Sequence, residues 1–176
     1  DSSTAWTVYH HKMASDPETD YLYLSTNAAV ADYNLHWNDT APTSSVFTLG
    51  TDTSVNNNTS PNIMYLWTGK QGFSKFGSYT GNGNADGTFV FCGFRPAWVL
   101  IKRTDGSNQW VITDNKRDID NPIADGHYAD SNDSTNTGTR YDFLSNGFKL
   151  RVTYLESNTS GGNYIYMAFA EAPFVN

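Results

Sequence analysis

Four histidines and two oxygen-rich loops are the parts of this sequence best suited to chemistry. His10 and His11 are neighbours. Neighbours in a strand leave it on opposite faces, so the two are not expected to grip one metal ion. His36 and His127 stand apart, and no H-x-x-x-H or Cys/His spacing accompanies any of the four. All four are expected to be structural. The loop at 82–87 reads Asn-Gly-Asn-Ala-Asp-Gly, with oxygen ligands at alternate positions ahead of a glycine. That is the opening rhythm of a calcium loop. Its twelfth position, however, is Gly93, where an EF-hand carries Glu, and tight turns use the same Asn and Gly residues. The stretch Asp130-Ser131-Asn132-Asp133 is the second oxygen-rich loop. Asp125, Asp130, Asn132 and Asp133 are the candidate ligands of a calcium ion, with a solvated loop as the alternative.

Catalysis finds little support. Serine hydrolysis brings Ser, His and an acid together, and no G-x-S-x-G elbow is present. Glycosidases oppose two carboxylates, yet Glu18, Glu156 and Glu171 are the sole glutamates, and the first two sit in loop-like sequence. The expectation is a non-enzyme with no catalytic residue and no required cofactor. Recognition is a better prospect. Trp37, in the run Asn34-Leu35-His36-Trp37-Asn38-Asp39, and Tyr33, Tyr128 and Tyr141 occur in polar segments. Flat rings beside Asn and Asp suit sugars, which take stacking and paired hydrogen bonds together. Tyr33, Trp37, Asn38, Tyr128 and Tyr141 are therefore the candidate glycan contacts. The alternative is that these rings anchor loops to the body of the fold.

The elements that would position these groups are strands. Eleven Tyr, ten Phe and five Trp among 176 residues argue for a folded chain despite the polar remainder. The net charge of −7 disfavours nucleic acid and anionic membranes, and no run is apolar enough to span a bilayer. Segments 6–9, 21–25, 46–49, 63–67, 73–79, 89–91, 97–103, 110–113, 148–152 and 164–170 are rich in aromatic or β-branched residues and bounded by turn formers. Helical turns are expected only at 27–32 and 118–124. The fold class is all-β, an antiparallel β-sandwich or jelly roll. Trp6, Trp98 and Trp110 are expected in its core. The single cysteine, Cys92, lies in the apolar run Phe89-Val90-Phe91-Cys92 and is expected to be buried.

An internal echo runs through the chain. Ala5-Trp6-Thr7-Val8 matches Gln109-Trp110-Val111-Ile112, an offset of 104 residues. Val46-Phe47-Thr48-Leu49 matches Gly147-Phe148-Lys149-Leu150, and Asn62-Ile63-Met64-Tyr65 matches Asn163-Tyr164-Ile165-Tyr166, both offset by 101 residues. The order is conserved, so a duplication is expected. It places an incomplete first unit at 1–75 and a complete second unit at 76–176, with one joint sandwich as the alternative. The first unit has no counterpart of 77–105, and the missing strands are expected from outside it.

Long motifs also resemble a known family. Pro42-Thr43-Ser44-Ser45-Val46-Phe47-Thr48-Leu49-Gly50, the stretches 72–83 and 93–103, and the ending Tyr164-Ile165-Tyr166-Met167-Ala168-Phe169-Ala170-Glu171 resemble a repeated domain in large structural proteins of marine tailed phages. The resemblance implies tandem concanavalin-like sandwich units in a tail fibre, spike or surface appendage on the virion. It implies homo-oligomeric or other virion partners, host-surface glycan as a further partner, and no catalytic residues. The rival expectations are a fibre-borne polysaccharide depolymerase and a stand-alone carbohydrate-binding module.

Overall fold

Large apolar residues recurring at every second position give strands with two distinct faces, and two such faces must be covered. The computed structural model describes residues 4–133 and 136–173. Eleven strands and one four-residue helix appear among them. The first three strands, β1 (Thr7–Val8), β2 (Asp20–Tyr23) and β3 (Ala31–Asp32), form a small antiparallel sheet, and helix α1 (Asn34–Trp37) follows. The remaining strands are β4 (Ser74–Thr80), β5 (Phe89–Phe91), β6 (Pro96–Arg103), β7 (Val111–Asp114), β8 (Ile123–Tyr128), β9 (Asn136–Leu144), β10 (Gly147–Leu150) and β11 (Asn163–Ala170).

These eight form one antiparallel sheet in the order β4-β11-β6-β7-β8-β9-β10-β5. The sheet turns back on itself at β8. One end of β8 pairs with β7 at Tyr128 and His127, and the other pairs with β9 from Ile123 onward, with a register shift between Ile123 and Asp125. The edge strands β4 and β5 then approach each other. Side chains span that gap: Lys75 Nζ donates to the Phe91 carbonyl at 2.9 Å, and Thr88 Oγ1 to the Thr80 carbonyl at 2.9 Å. The result is a sandwich that nearly closes into a barrel. Between its layers lie Val99, Ile101, Tyr141, Phe143, Phe148, Leu150, Tyr164 and Tyr166, all buried. Gly147 is required there, because a Cβ at that position would run into the Val90 carbonyl across the β5–β10 pair.

A second, smaller core lies on the outer side of the same sheet. Along β11, Tyr164 and Tyr166 face inward while Ile165 faces out, and Ile165 meets Trp110, Leu22 and Met13. The N-terminal layer thus covers the outer face of β11, β6 and β7. Three polar contacts pin it. Trp110 Nε1 donates to the Tyr23 carbonyl at 2.9 Å, Lys102 Nζ to the Asn27 carbonyl at 3.1 Å, and the Val30 amide to the Thr104 carbonyl at 2.9 Å.

Internal duplication is not shown by this fold. Trp6 is 53% exposed where Trp110 is 3%, Phe47 is 40% where Phe148 is 0%, and Tyr65 is 60% where Tyr166 is 4%. The physical reason is the neighbours. Strands β10 and β11 each lie between two others, whereas segments 46–49 and 63–67, expected as strands, have no ladder among the described residues. Two further expectations are corrected. Segment 118–124 leads into β8 rather than forming a helical turn, and β3 rather than a helix occupies Ala31–Asp32. Strand β9 was hidden by Asn136 and Gly138, which read as turn formers.

Candidate functional site

The residues expected to touch glycan do not share one surface. Trp37 is buried, and its Nε1 donates to the Asp20 carbonyl at 2.9 Å. Tyr141 is fully buried between the sandwich layers, and that burial pushes its hydroxyl up to about 12. Asn38 ends α1 in the left-handed conformation (φ 54°), a cap that Asn tolerates well. Tyr33 and Tyr128 are half-buried. These two remain at the surface, Tyr33 beside α1 and Tyr128 at the end of β8, whereas Trp37 and Tyr141 serve as anchors.

Around α1 the chain builds a polar cluster that the sequence did not advertise. Tyr33 hydroxyl donates to Asp52 Oδ2 at 3.1 Å, and Ser54 donates to Asp52 Oδ1 through both its amide and its hydroxyl. Ser54 Oγ lies 3.4 Å from His36 Nε2, with Asp52 Oδ1 3.9 Å from the same nitrogen. Donation from Ser54, then Tyr33, holds the Asp52 carboxyl below its usual range. Burial lowers His36 against the pull of Asp52. Ser, His and Asp thus meet, but not as a hydrolase needs. In a triad the acid orients the imidazole through its far nitrogen and leaves the hydroxyl to the base. Here Asp52 takes the Ser54 hydroxyl itself, and His36 Nδ1 is buried without a partner among the described residues. Tyr21 and Tyr33 enclose the ring, edge on, at 4.5 and 4.8 Å. The cluster ties the 50–56 loop to α1.

The oxygen-rich loops are braced by their own hydrogen bonds. Asn82 Oδ1 accepts from the Asn84 amide at 3.0 Å, and Asn84 Oδ1 from the Asp86 amide at 2.8 Å, so 82–87 is a chain of Asx turns. Fully buried Asn158 plugs it, donating to the carbonyls of Val152 and Asn84 and accepting from the Asn82 amide. Among the metal candidates, Asp130 accepts from the Trp110 amide at 3.0 Å and Asp133 from Gln109 at 3.1 Å. The Asp125 amide donates to Asp118. No group of three or more His, Cys, Asp or Glu among the described residues could hold a metal ion. His10 and His11 lie in a turn rather than a strand, and their rings stack at 5.0 Å. Cys92 is buried and its thiol is pushed up to about 12, which leaves little thiolate.

Two buried cations also went unforeseen. Lys102 follows an apolar run in β6, yet its Nζ is capped by the Asn27 and Asn108 carbonyls, and burial lowers it to about 8. Arg140 pairs with Glu156 at 3.3 Å and lies over the Tyr154 ring. Gly126 makes room for it, since a Cβ there would collide with the guanidinium. The sequence signal for both was weak: a cation on the strand face opposite the sandwich core, buried by other parts of the chain and legible only once the register is known.

The most unusual surface is apolar. Ile63, Met64, Tyr65, Leu66 and Trp67 are 73%, 41%, 60%, 69% and 56% exposed, in succession. Tyr65 stacks between Trp6 at 6.1 Å and Trp67 at 6.0 Å. Among the described residues, no backbone group from Asn62 to Trp67 is hydrogen bonded.

Comparison with known proteins adds one family. Its model, described as a domain of unknown function (DUF7483), matches residues 1–173. No curated protein and no solved structure matches the chain. With nearly its whole length matched, the chain belongs to the DUF7483 family.

Proposed function

We propose that this chain is a non-catalytic structural unit of a phage virion, placed in a tail fibre, spike or surface appendage. Other copies of itself and other virion proteins are its partners, and host-surface glycan is a further contact. The observation that carries the reading is the exposed apolar run at 63–67 on a tightly packed sandwich. A contiguous apolar patch of this kind marks an interaction site. The motif resemblance to marine phage structural proteins supports the location. Tyr33 and Tyr128 are the rings best placed for glycan, being half-buried beside polar partners.

The test is recovery. Particles banded on a density gradient should yield peptides of this chain at constant ratio to the major capsid protein. Peptides found only in the particle-free fractions would contradict the proposal. The depolymerase alternative has Asp52, beside Ser54 and His36, as its candidate acid, without the second carboxylate that glycoside hydrolysis uses, and the two readings separate by activity. Hydrolysis of host polysaccharide that disappears in Asp52→Asn and Ser54→Ala would favour the enzyme.

A further inference from the structure

We propose that segment 61–68 is the docking strand of this unit, and that its occupant is a second copy of the same chain. It deepens the proposed function by naming the partner of the exposed run, and a failure here would leave the test on banded particles standing on its own.

The arm has the composition of a strand without the company of one. Ile, Met, Tyr, Leu and Trp in succession favour β-structure. In an edge strand facing water on one side, alternate residues would be polar. Here both faces are apolar and both are exposed. Among the described residues its backbone donors and acceptors from Asn62 to Trp67 are open as well, and such groups pair when a partner offers a ladder. Edges that must stay single carry charges, prolines or bulges. Pro61 stands before this run, but no charged residue and no proline lies within 62–69.

Three observations select the occupant. The first is area. Large side chains offer roughly 150–250 Å² each, so Trp6 and the five run residues at these exposures present on the order of 700 Å². A stable interface buries about 800 Å² per partner. The second is charge. The chain carries −7, yet no charged residue lies between Asp52 and Lys70. Two like-charged copies repel least where both are neutral. The third is the sequence echo. Asn62-Ile63-Met64-Tyr65 matches Asn163-Tyr164-Ile165-Tyr166, which in this fold is β11, held on both edges by β4 and β6. The strands that suit such a sequence are those of this same unit, and a second copy is the body that brings them.

Sedimentation velocity over a dilution series of the whole chain tests this, with Leu66→Asp and the uncharged Leu66→Ser beside it. Thermal unfolding at the lowest concentration serves as the fold control, since an exposed position should leave it unchanged. The expected result is reversible association of the native chain in the micromolar range, weakened about tenfold or more by either substitution. A native chain that stays monomeric at every concentration overturns the proposal. So does association to which both variants contribute as well as the parent. Tight binding of a glycan or of an unrelated peptide by the monomer, lost in Leu66→Ser, would also overturn it, because the strand would then have another occupant.

Discussion

Segments 62–66 and 163–167 begin alike, with Asn-Ile-Met-Tyr-Leu and Asn-Tyr-Ile-Tyr-Met, and end in opposite surroundings. The second lies between β4 and β6 in an eight-stranded sheet, with Tyr164, Ile165 and Tyr166 all nearly inaccessible. The first lies exposed, outside any strand. Composition and spacing are nearly the same, so the difference lies in what stands on either side. Strand β11 gains two ladders, an inner core and an outer core. Residues 62–67 gain none among the described residues. β-Propensity expresses how well a side chain suits a half-buried pleated surface, and that surface is made by neighbours.

The widest separation should come from matched truncations. Tyr166→Ala removes a ring that meets Phe148 edge-to-face at 5.5 Å, and it should cost about 3–5 kcal/mol, enough to threaten folding. Tyr65→Ala should shift dilute-solution stability by less than about 0.5 kcal/mol. Denaturant midpoints on the two variants measure both numbers. Comparable losses would erase the distinction between the segments.

Next in size is the N-terminal layer, which is neither bare nor central. Leu22→Ala opens a cavity against Trp110 and Ile165 and should cost about 2–3 kcal/mol. Because the inner core does not use Leu22, tryptophan fluorescence from Trp110 should change before the far-ultraviolet strand signal does. Simultaneous loss of both would mean the layer and the sandwich unfold as one cooperative unit.

A smaller effect is acid sensitivity of that same layer. Burial first, then the charges of His11 and Lys12, lower His10 to about 4, while the Tyr166 carbonyl pulls the other way. His11 and His36 are lowered too. A depressed histidine stays neutral in the fold while the unfolded chain takes up a proton near pH 6.5. Its contribution is therefore complete above that value and is lost as pH falls toward 4. For His10 the loss should be about 1–2 kcal/mol after allowance for partial exposure. In His10→Gln, the drop in melting temperature between pH 7 and pH 5 should shrink. An unchanged drop would assign the sensitivity to other groups.

Much of the body of the fold was legible in the residues. The run 97–102 reads as a strand, and β6 indeed lies between β11 and β7. Cys92 reads as a core residue and is one. The misses have separate physical causes. Strand β9 carries Tyr141 and Phe143 on one face and Arg140 on the other, so its polar half masked its period. Trp6 was expected in the core because its flanks are strand-like, but β1 is only two residues long and leaves the ring at the surface. The Asp52, Ser54 and His36 cluster depends on a loop returning to a short helix, a long-range contact with no local sequence period. The glycan candidates were chosen for polar neighbours, and for Trp37 and Tyr141 those neighbours flank a buried ring rather than an open one.

Amide hydrogen exchange read by mass spectrometry tests the comparison most directly. In dilute solution the account predicts the slowest exchange in β6 and β11, intermediate rates in β1 to β3, and near-unprotected rates at 62–67. On concentration, 62–67 should gain protection while the rest of the pattern holds. Protection at 62–67 equal to β11 in a dilute monomer would contradict the account, as would an associated sample in which those amides still exchange freely.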